Sequence, residues 1–283
     1  MHDLVRQLND LCDAQPFHTG WYLKDLRTGE AADRHGDVIV PSASTRKIAI
    51  LMTALAGVNA GDFALGQPVT ITAKYQNTTS GCFQHFQPGF TITLQDVLVM
   101  MIIVSDNAST GTIAEMVGLD RVNALCQSIG MKGTAHRHGM PPGNLGRDHA
   151  VEATNATTPA DVGLLLECIL AGTHDADAAA RLGCTPALCQ RSMEILSWQK
   201  LNARMPAFLP TEATVAHKTG TSPSGRNYND AGIVFQGDDP LFVLTVYTEH
   251  VPAEMPDGMP GAAAAQQTIS RLTRACWDAC KGG

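Results

Sequence analysis

The chain has 283 residues, 44% of them hydrophobic, and a formal net charge of −7 from 27 acidic and 20 basic side chains. That length and apolar content can bury one large core or two interlocked smaller ones, which excludes a disordered or collagen-like chain. With no long run of one sign there is no electrostatic footprint for nucleic acid. The longest strongly apolar run, Val97 to Val104, is too short to span a bilayer, and the stretch Met1 to His18 lacks the apolar core of a signal peptide. The expectation for the chain as it stands is a soluble, cytoplasmic monomer acting on a small molecule, with no nucleic-acid or membrane partner. It becomes periplasmic or secreted if a leader has been removed.

In chain order, Asp3 to Asp13 places Leu4, Leu8 and Leu11 on one side of an amphipathic helix. A strand-like GWYLKDL and a turn at Arg27-Thr28-Gly29 follow. After Pro41, the segment Thr45 to Ala56 has helical periodicity, with Ser44 at its N-terminus. Between about Gly57 and Arg204 come apolar helical stretches (LQDVLVMMIIV, DRVNALCQSIG, ADVGLLLECIL, CQRSMEILSWQ). From Thr214 the pattern turns to strands, VAHKTG, AGIVFQ and LFVLTVYTE, at hairpin-like spacing, and Ala262 to Cys280 returns to helix. The pattern predicts an α/β chain of the α+β type: an antiparallel sheet assembled from both termini, with a helical region inserted. The division expected is residues 1–45 plus 211–283 as one unit and 46–210 as the other, with the active site between them.

The eight cysteines, at 12, 82, 126, 168, 184, 189, 276 and 280, lack the dense spacing of a disulfide scaffold or a zinc module. Reduced, scattered thiols are the simpler reading. His136 and His138 flank Arg137 near a Gly-Met-Pro-Pro-Gly loop; two histidines with no cysteine nearby point to a solvated loop more than to a metal, and no cofactor is expected.

The chemistry lies in short motifs. Two S-x-x-K sequences occur, Ser44-Thr-Arg-Lys47 and Ser197-Trp-Gln-Lys200. On a helix, residues three apart share a face, so the amine can reach the hydroxyl and accept its proton once its pKa is lowered. Ser44 stands at a helix start, where free N–H groups can hold an oxyanion, whereas Ser197 falls late in a helix. Ser105-Asp106-Asn107 and Lys218-Thr219-Gly220 follow Ser44 in order. Each alone is ordinary: Ser-Asp-Asn is common in caps and turns.

Together, S-x-x-K, S-D-N and K-T-G in this order resemble the signature of class A β-lactamases and penicillin-binding proteins. The likeness extends to MMIIVSDNASTGTI, VAHKTGTSPSGRNYNDAGIVF and NATTPADVGLLL, and so to nearly the whole chain. It implies a β-lactamase/transpeptidase-like fold with Ser44 as nucleophile, Lys47 as its proton acceptor, and Ser105, assisted by Lys218, as the relay to the leaving nitrogen. It further implies oxyanion donors at Ser44 and Thr221, Asn107 on a substrate amide, and Thr219 on its carboxylate. Gly220 would leave room for substrate along the strand, and Arg226 could add a second cation, although a surface arginine fits as well. In the loop Ser80 to His85, Cys82 or Phe83 could shape the cleft entrance.

One part of the family pattern is missing. Class A β-lactamases carry E-x-x-x-N in a loop before the segment resembling Asn155-Ala-Thr-Thr-Pro159, and its glutamate is the accepted base for deacylation. Counting back from Pro159 lands on Pro142 to Gly146, where no acid stands; the nearest are Asp148 and Glu152. A covalent intermediate is therefore expected more firmly than turnover. A β-lactamase with slow deacylation, an esterase, amidase or D-alanyl carboxypeptidase on the same scaffold, and a penicillin-binding sensor that does not turn over all remain open.

Overall fold

The computed structural model describes residues 1–76, 80–140, 142, 145, 149–222 and 224–281. Helix α1 (His2–Asp13) buries Leu4, Leu8 and Cys12 at i, i+4 spacing. Strand β1 (His18–Asp25) alternates buried positions with half-buried ones after an exposed His18 and is followed by β2 (Ala31–Arg34). The turn between them is closed by the Asp25 carboxylate, which accepts from the backbone N–H groups of Arg27 and Thr28. A short β3 (Val40–Pro41) precedes the 3-10 turn Ala43–Arg46 and helix α2 (Lys47–Ala60). That helix is apolar on every side and buried through Ile48, Leu51, Met52 and Leu55, as a central core helix should be.

The middle of the chain supplies β4 (Pro68–Ile71), β5 (Phe90–Thr93), α3 (Leu94–Ile103), α4 (Asn107–Val117), α5 (Leu119–Ser128), β6 (Ala156–Thr157), α6 (Pro159–Gly172), α7 (Ala176–Arg181) and α8 (Pro186–Ser197). Side-chain caps fix where these helices begin: Thr93 accepts from Asp96 N, Asp106 from Ser109 N, and Thr158 from Asp161 N with Pro159 following it. Two short antiparallel ribbons, β4–β5 and β3–β6, lie among the helices. They are too short and too mixed in polarity for their alternation to stand out in the sequence.

The last strands are β7 (Ala213–Thr221), β8 (Tyr228–Gln236) and β9 (Asp239–Glu249), and the C-terminal helix is α9 (Gly261–Cys280). Among the described residues the main sheet runs β2-β1-β9-β8-β7, antiparallel throughout. Both ends of the chain thus build one sheet around the inserted helices. One sheet face packs Trp21, Leu23, Phe242 and Leu244 against Leu8, Ile269, Leu272 and Trp277 of α1 and α9. The other packs Ala216, Ile233 and Val243 into the core shared with α2, α3 and α6. Strand β7 is left at the edge of the sheet.

Candidate active site

Ser44 lies in the 3-10 turn that leads into α2, one turn ahead of the α-helix proper. The turn is tied to its surroundings at several points. Ser42 N and Oγ both donate to Asn155 O, Thr45 Oγ1 donates to Ser42 O and contacts Tyr247 Oη at 2.9 Å, and Asn229 Nδ2 donates to Pro41 O. Ala43 takes φ 45°, a left-handed conformation unusual for alanine and of the kind stored at functional sites. Edge strand β7 passes so close that a Cβ on Gly220 would stand 3.1 Å from Ser44 N and 3.2 Å from Ala43 Cβ. Gly220→Ala is therefore expected to push the strand off the Ser44 turn. The expected cost is about 1–3 kcal/mol of stability and on the order of a hundredfold in acylation rate, measured by thermal melting and stopped-flow acylation.

Ser105 also adopts a positive φ, 55°. Asp106 after it is fully buried, capping α4 through one oxygen and accepting from Phe83 N through the other. A Cβ on Gly81 (φ 92°) would fall 2.2 Å from that carboxylate, so the close approach of the Ser80–His85 loop depends on glycine. The loop in turn delivers Ser80, whose hydroxyl donates to Ser105 O.

Lys47 is 1% exposed. Its Nζ lies 2.7 Å from Ser105 O, 2.9 Å from Asn107 Oδ1 and 3.0 Å from Ser105 Oγ. Burial holds its pKa well below the usual lysine value, and the charges of Lys218 and Arg46 push it the same way against Asp106. The carbonyl of Ser105 and Asn107 Oδ1 can only accept, so each takes an N–H of Lys47, and the third position of the amine faces Ser105 Oγ.

Lys218 is fully buried behind the cleft and donates to Thr219 O at 2.7 Å. Burial lowers its pKa to about 7, with Asp230 opposing and Arg204 adding to the shift. Because the folded pKa lies below the unfolded value of 10.5, the unfolded chain binds more protons between pH 7 and 10.5, and stability from this group rises with pH across that window. Lys218→Met is expected to stabilise the fold by about 1–4 kcal/mol near neutral pH while slowing acylation. The gain should shrink toward pH 10 in melts at stepped pH.

Thr221, at the exposed end of β7, accepts from Arg204 Nη2 at 2.5 Å. The other guanidinium nitrogen of Arg204 donates to Gly220 O and Asn229 O. Arg204, 6% exposed, thus braces the strand end and sets a cation beneath it. Asp230 receives His217 Nδ1 at 2.8 Å and Met205 N at 3.1 Å, which places the residue after Arg204.

A cleft of about 550 Å³ is lined by Ser44, Ser80, Ser105, Asn107, Thr219 and Thr221, together with Leu201, Arg204, Ser222 and Gln266. The structure therefore gathers Ser44, Ser105, Asn107, Thr219 and Thr221 on one surface, with Lys47, Lys218 and Gly220 directly behind it. Arg226 is not among the lining residues; its carbonyl accepts from Val251 N. From the Ser80–His85 loop it is Ser80 that reaches the cleft, while Phe83 packs on Phe86 and Phe90. Ser197 closes α8, its hydroxyl donating to Glu194 O. It borders a larger cavity of about 720 Å³ against α6 and the sheet, which no lysine lines.

Glu152 is exposed and outside the cleft lining, and Asp148 lies outside the described residues. Asn155 Oδ1 accepts from Arg137 N and His138 N, so its side chain anchors the preceding loop. His136 is buried and its pKa falls to about 3 through burial and the charge of Arg46. Among the described residues no three His, Cys, Asp or Glu side chains are arranged to hold a metal, and no helix is long and apolar enough to cross a membrane.

A family model described as the beta-lactamase enzyme family matches residues 3–280. The chain belongs to that family. Among its relatives, the β-lactamase regulatory protein BlaB of Streptomyces cacaoi is 26% identical, with 96% of each chain covered. The β-lactamase AER-1 of Aeromonas hydrophila is 28% identical over 89% of this chain and 78% of its own length. The crystal structure of a β-lactamase from Sphaerobacter thermophilus matches with a TM-score of 0.83 at 26% identity, covering 98% of this chain and 97% of that one. A leucine-to-glutamate mutant of PBP-A, solved as its acyl-enzyme complex with penicillin G, matches with a TM-score of 0.83 at 26% identity over 99% and 97%. The chain is thus similar both to β-lactamases and to a β-lactamase regulatory protein.

Proposed function

We propose that the protein is a serine acyl-transfer enzyme that captures β-lactams at Ser44 and releases them slowly, with the cleft lying between a terminal α/β unit (1–45 plus 211–283) and a helical unit (46–210). The observation that carries this reading is the Lys47 amine at 3.0 Å from Ser105 Oγ, directly beneath the cleft that Ser44 lines.

In this reading the Ser44 hydroxyl proton passes to Lys47 as Oγ attacks the lactam carbonyl, and the N–H groups of Ser44 and Thr221 receive the oxyanion. The C–N bond then breaks. Ser105 gives its proton to the departing nitrogen and is reprotonated by Lys47, which returns the amine to its starting state. Asn107 contacts the substrate's amide. Thr219 and Thr221, backed by Lys218 and Arg204, hold its carboxylate, a role for Arg204 supported by its bond to Thr221.

Simple esters and amides are an alternative substrate class, because acyl transfer from them needs the same nucleophile, proton carriers and oxyanion donors: Ser44, Lys47, Ser105 and Thr221. A sensor role is favoured by one finding, the likeness to a β-lactamase regulatory protein over 96% of both chains. Intact-mass measurement after incubation with penicillin G, a cephalosporin and small aryl esters tests the proposal. One adduct per chain on the Ser44 peptide is expected. No adduct and no hydrolysis with any of them overturns it.

A further inference from the structure

The middle of the Ser44–Lys47 motif carries an arginine that the chemistry above does not use. Arg46 is 5% exposed, and among the described residues no carboxylate lies within ion-pair distance of it. Its guanidinium instead donates to two backbone carbonyls, His138 O at 2.8 Å and Gly139 O. Burial lowers its pKa only to about 10, so it stays charged at neutral pH. A buried cation without an acid is costly, and an apolar side chain would fill the same space more cheaply.

We propose that Arg46 is a positioning residue for acyl transfer at Ser44, a cation built into the nucleophile's own turn that fastens the loop carbonyls of His138 and Gly139 to it and places its positive charge next to Lys47. The inference rests on the acyl-transfer reading of the site.

One line of geometry and one of electrostatics support it. First, the loop that Arg46 grips is the one that leads to Pro142, where the family's carboxylate is missing. Asn155 ties the same loop to Ser42 by accepting from Arg137 N and His138 N through its side chain and from Ser42 N through its carbonyl. The loop is therefore held to both flanks of Ser44. Second, the charges facing Lys47 are unbalanced. Lys218 faces it from β7 and Arg46 precedes it on its own turn; Asp106, before α4, opposes them but is already committed to Ser109 N and Phe83 N. His136, packed near Arg46 from the loop after α5, is uncharged and adds nothing. Where a carboxylate would draw a proton onto the amine, this chain places a cation, which repels it.

The test is single-turnover acylation by a chromogenic cephalosporin between pH 5 and 9 in the wild type, Arg46→Lys, Arg46→Gln and Arg46→Met. In Arg46→Gln and Arg46→Met the acid limb of the rate profile is expected to move up by about one pH unit. Below the limb these variants would run about tenfold slower, and they would approach wild type on the alkaline plateau. Arg46→Lys, which keeps the charge, is expected to keep the limb in place. If Arg46→Met does not fold, the Gln and Lys variants decide the matter. A limb that stays put in the folded charge-removed variants, with or without a uniform loss of rate, overturns the proposal. Absence of acylation in the wild type at every pH instead removes the underlying reading of the site.

Discussion

Ser44→Ala is expected to abolish covalent capture of penicillin G, with a loss on the order of 10⁶ in reaction rate, and to leave stability within about 0.5 kcal/mol of wild type. The asymmetry follows from the structure. The Ser44 hydroxyl makes no hydrogen bond to the described residues, whereas its neighbours Ser42 and Thr45 spend theirs holding the turn. A half-buried hydroxyl without structural work, at the foot of a cleft and one helical turn from a buried amine, is what a nucleophile requires. Mass spectrometry after incubation measures the first quantity and thermal melting the second. An adduct that persists in Ser44→Ala would move the nucleophile elsewhere, with Ser197 the first residue to test.

Much of this was legible in the sequence because local pattern and long-range fold agree. The three late strands alternate or run apolar between Gly, Asp and Pro, and each appears where its pattern ends. Motif order brought out Ser44, Lys47, Ser105, Asn107 and Thr219, since such chemistry leaves specific residues at fixed spacing. Arg204 was not legible. It carries no motif, and its importance arises from a segment before β7 folding back so that one guanidinium meets Gly220, Asn229 and Thr221. Ser80 and Gln266 reach the cleft only through the approach of a glycine-hinged loop and of the C-terminal helix. Arg46 stood in plain view, but a variable position inside S-x-x-K gives no sign of which way its side chain turns. Arg226 illustrates the converse: six residues from Gly220 in sequence, it sits beyond a turn that carries it outside the cleft lining.

β-Lactam hydrolysis is expected to show a burst of about one product per enzyme followed by slow turnover. Acylation needs a base for Ser44, a proton relay and an oxyanion site, and the proposed reading assigns all three to residues at or just behind the cleft. Deacylation needs a second base aimed at water on the acyl carbon, which in class A enzymes is a loop glutamate. Counting back from Pro159 without gaps lands on Pro142 rather than an acid, and Glu152, the nearest described acid, is exposed outside the cleft lining. Loss of a positioned general base is worth about 10²–10⁴ in rate, so hydrolysis of the acyl-enzyme should trail its formation by that factor. Stopped-flow release of a chromogenic cephalosporin product gives the burst and the steady rate in one trace, and intact mass at steady state should find most of the enzyme acylated. Glu152→Gln should leave both phases unchanged. Simple aryl esters should turn over faster than lactams, because the departing alcohol leaves the cleft while an opened lactam stays attached and crowds the approach of water. Steady penicillin hydrolysis at ordinary enzyme rates, with no burst and no accumulated adduct, would show that another group activates water. Lys47, whose pKa burial holds well below the usual lysine value, would then be the first residue to examine.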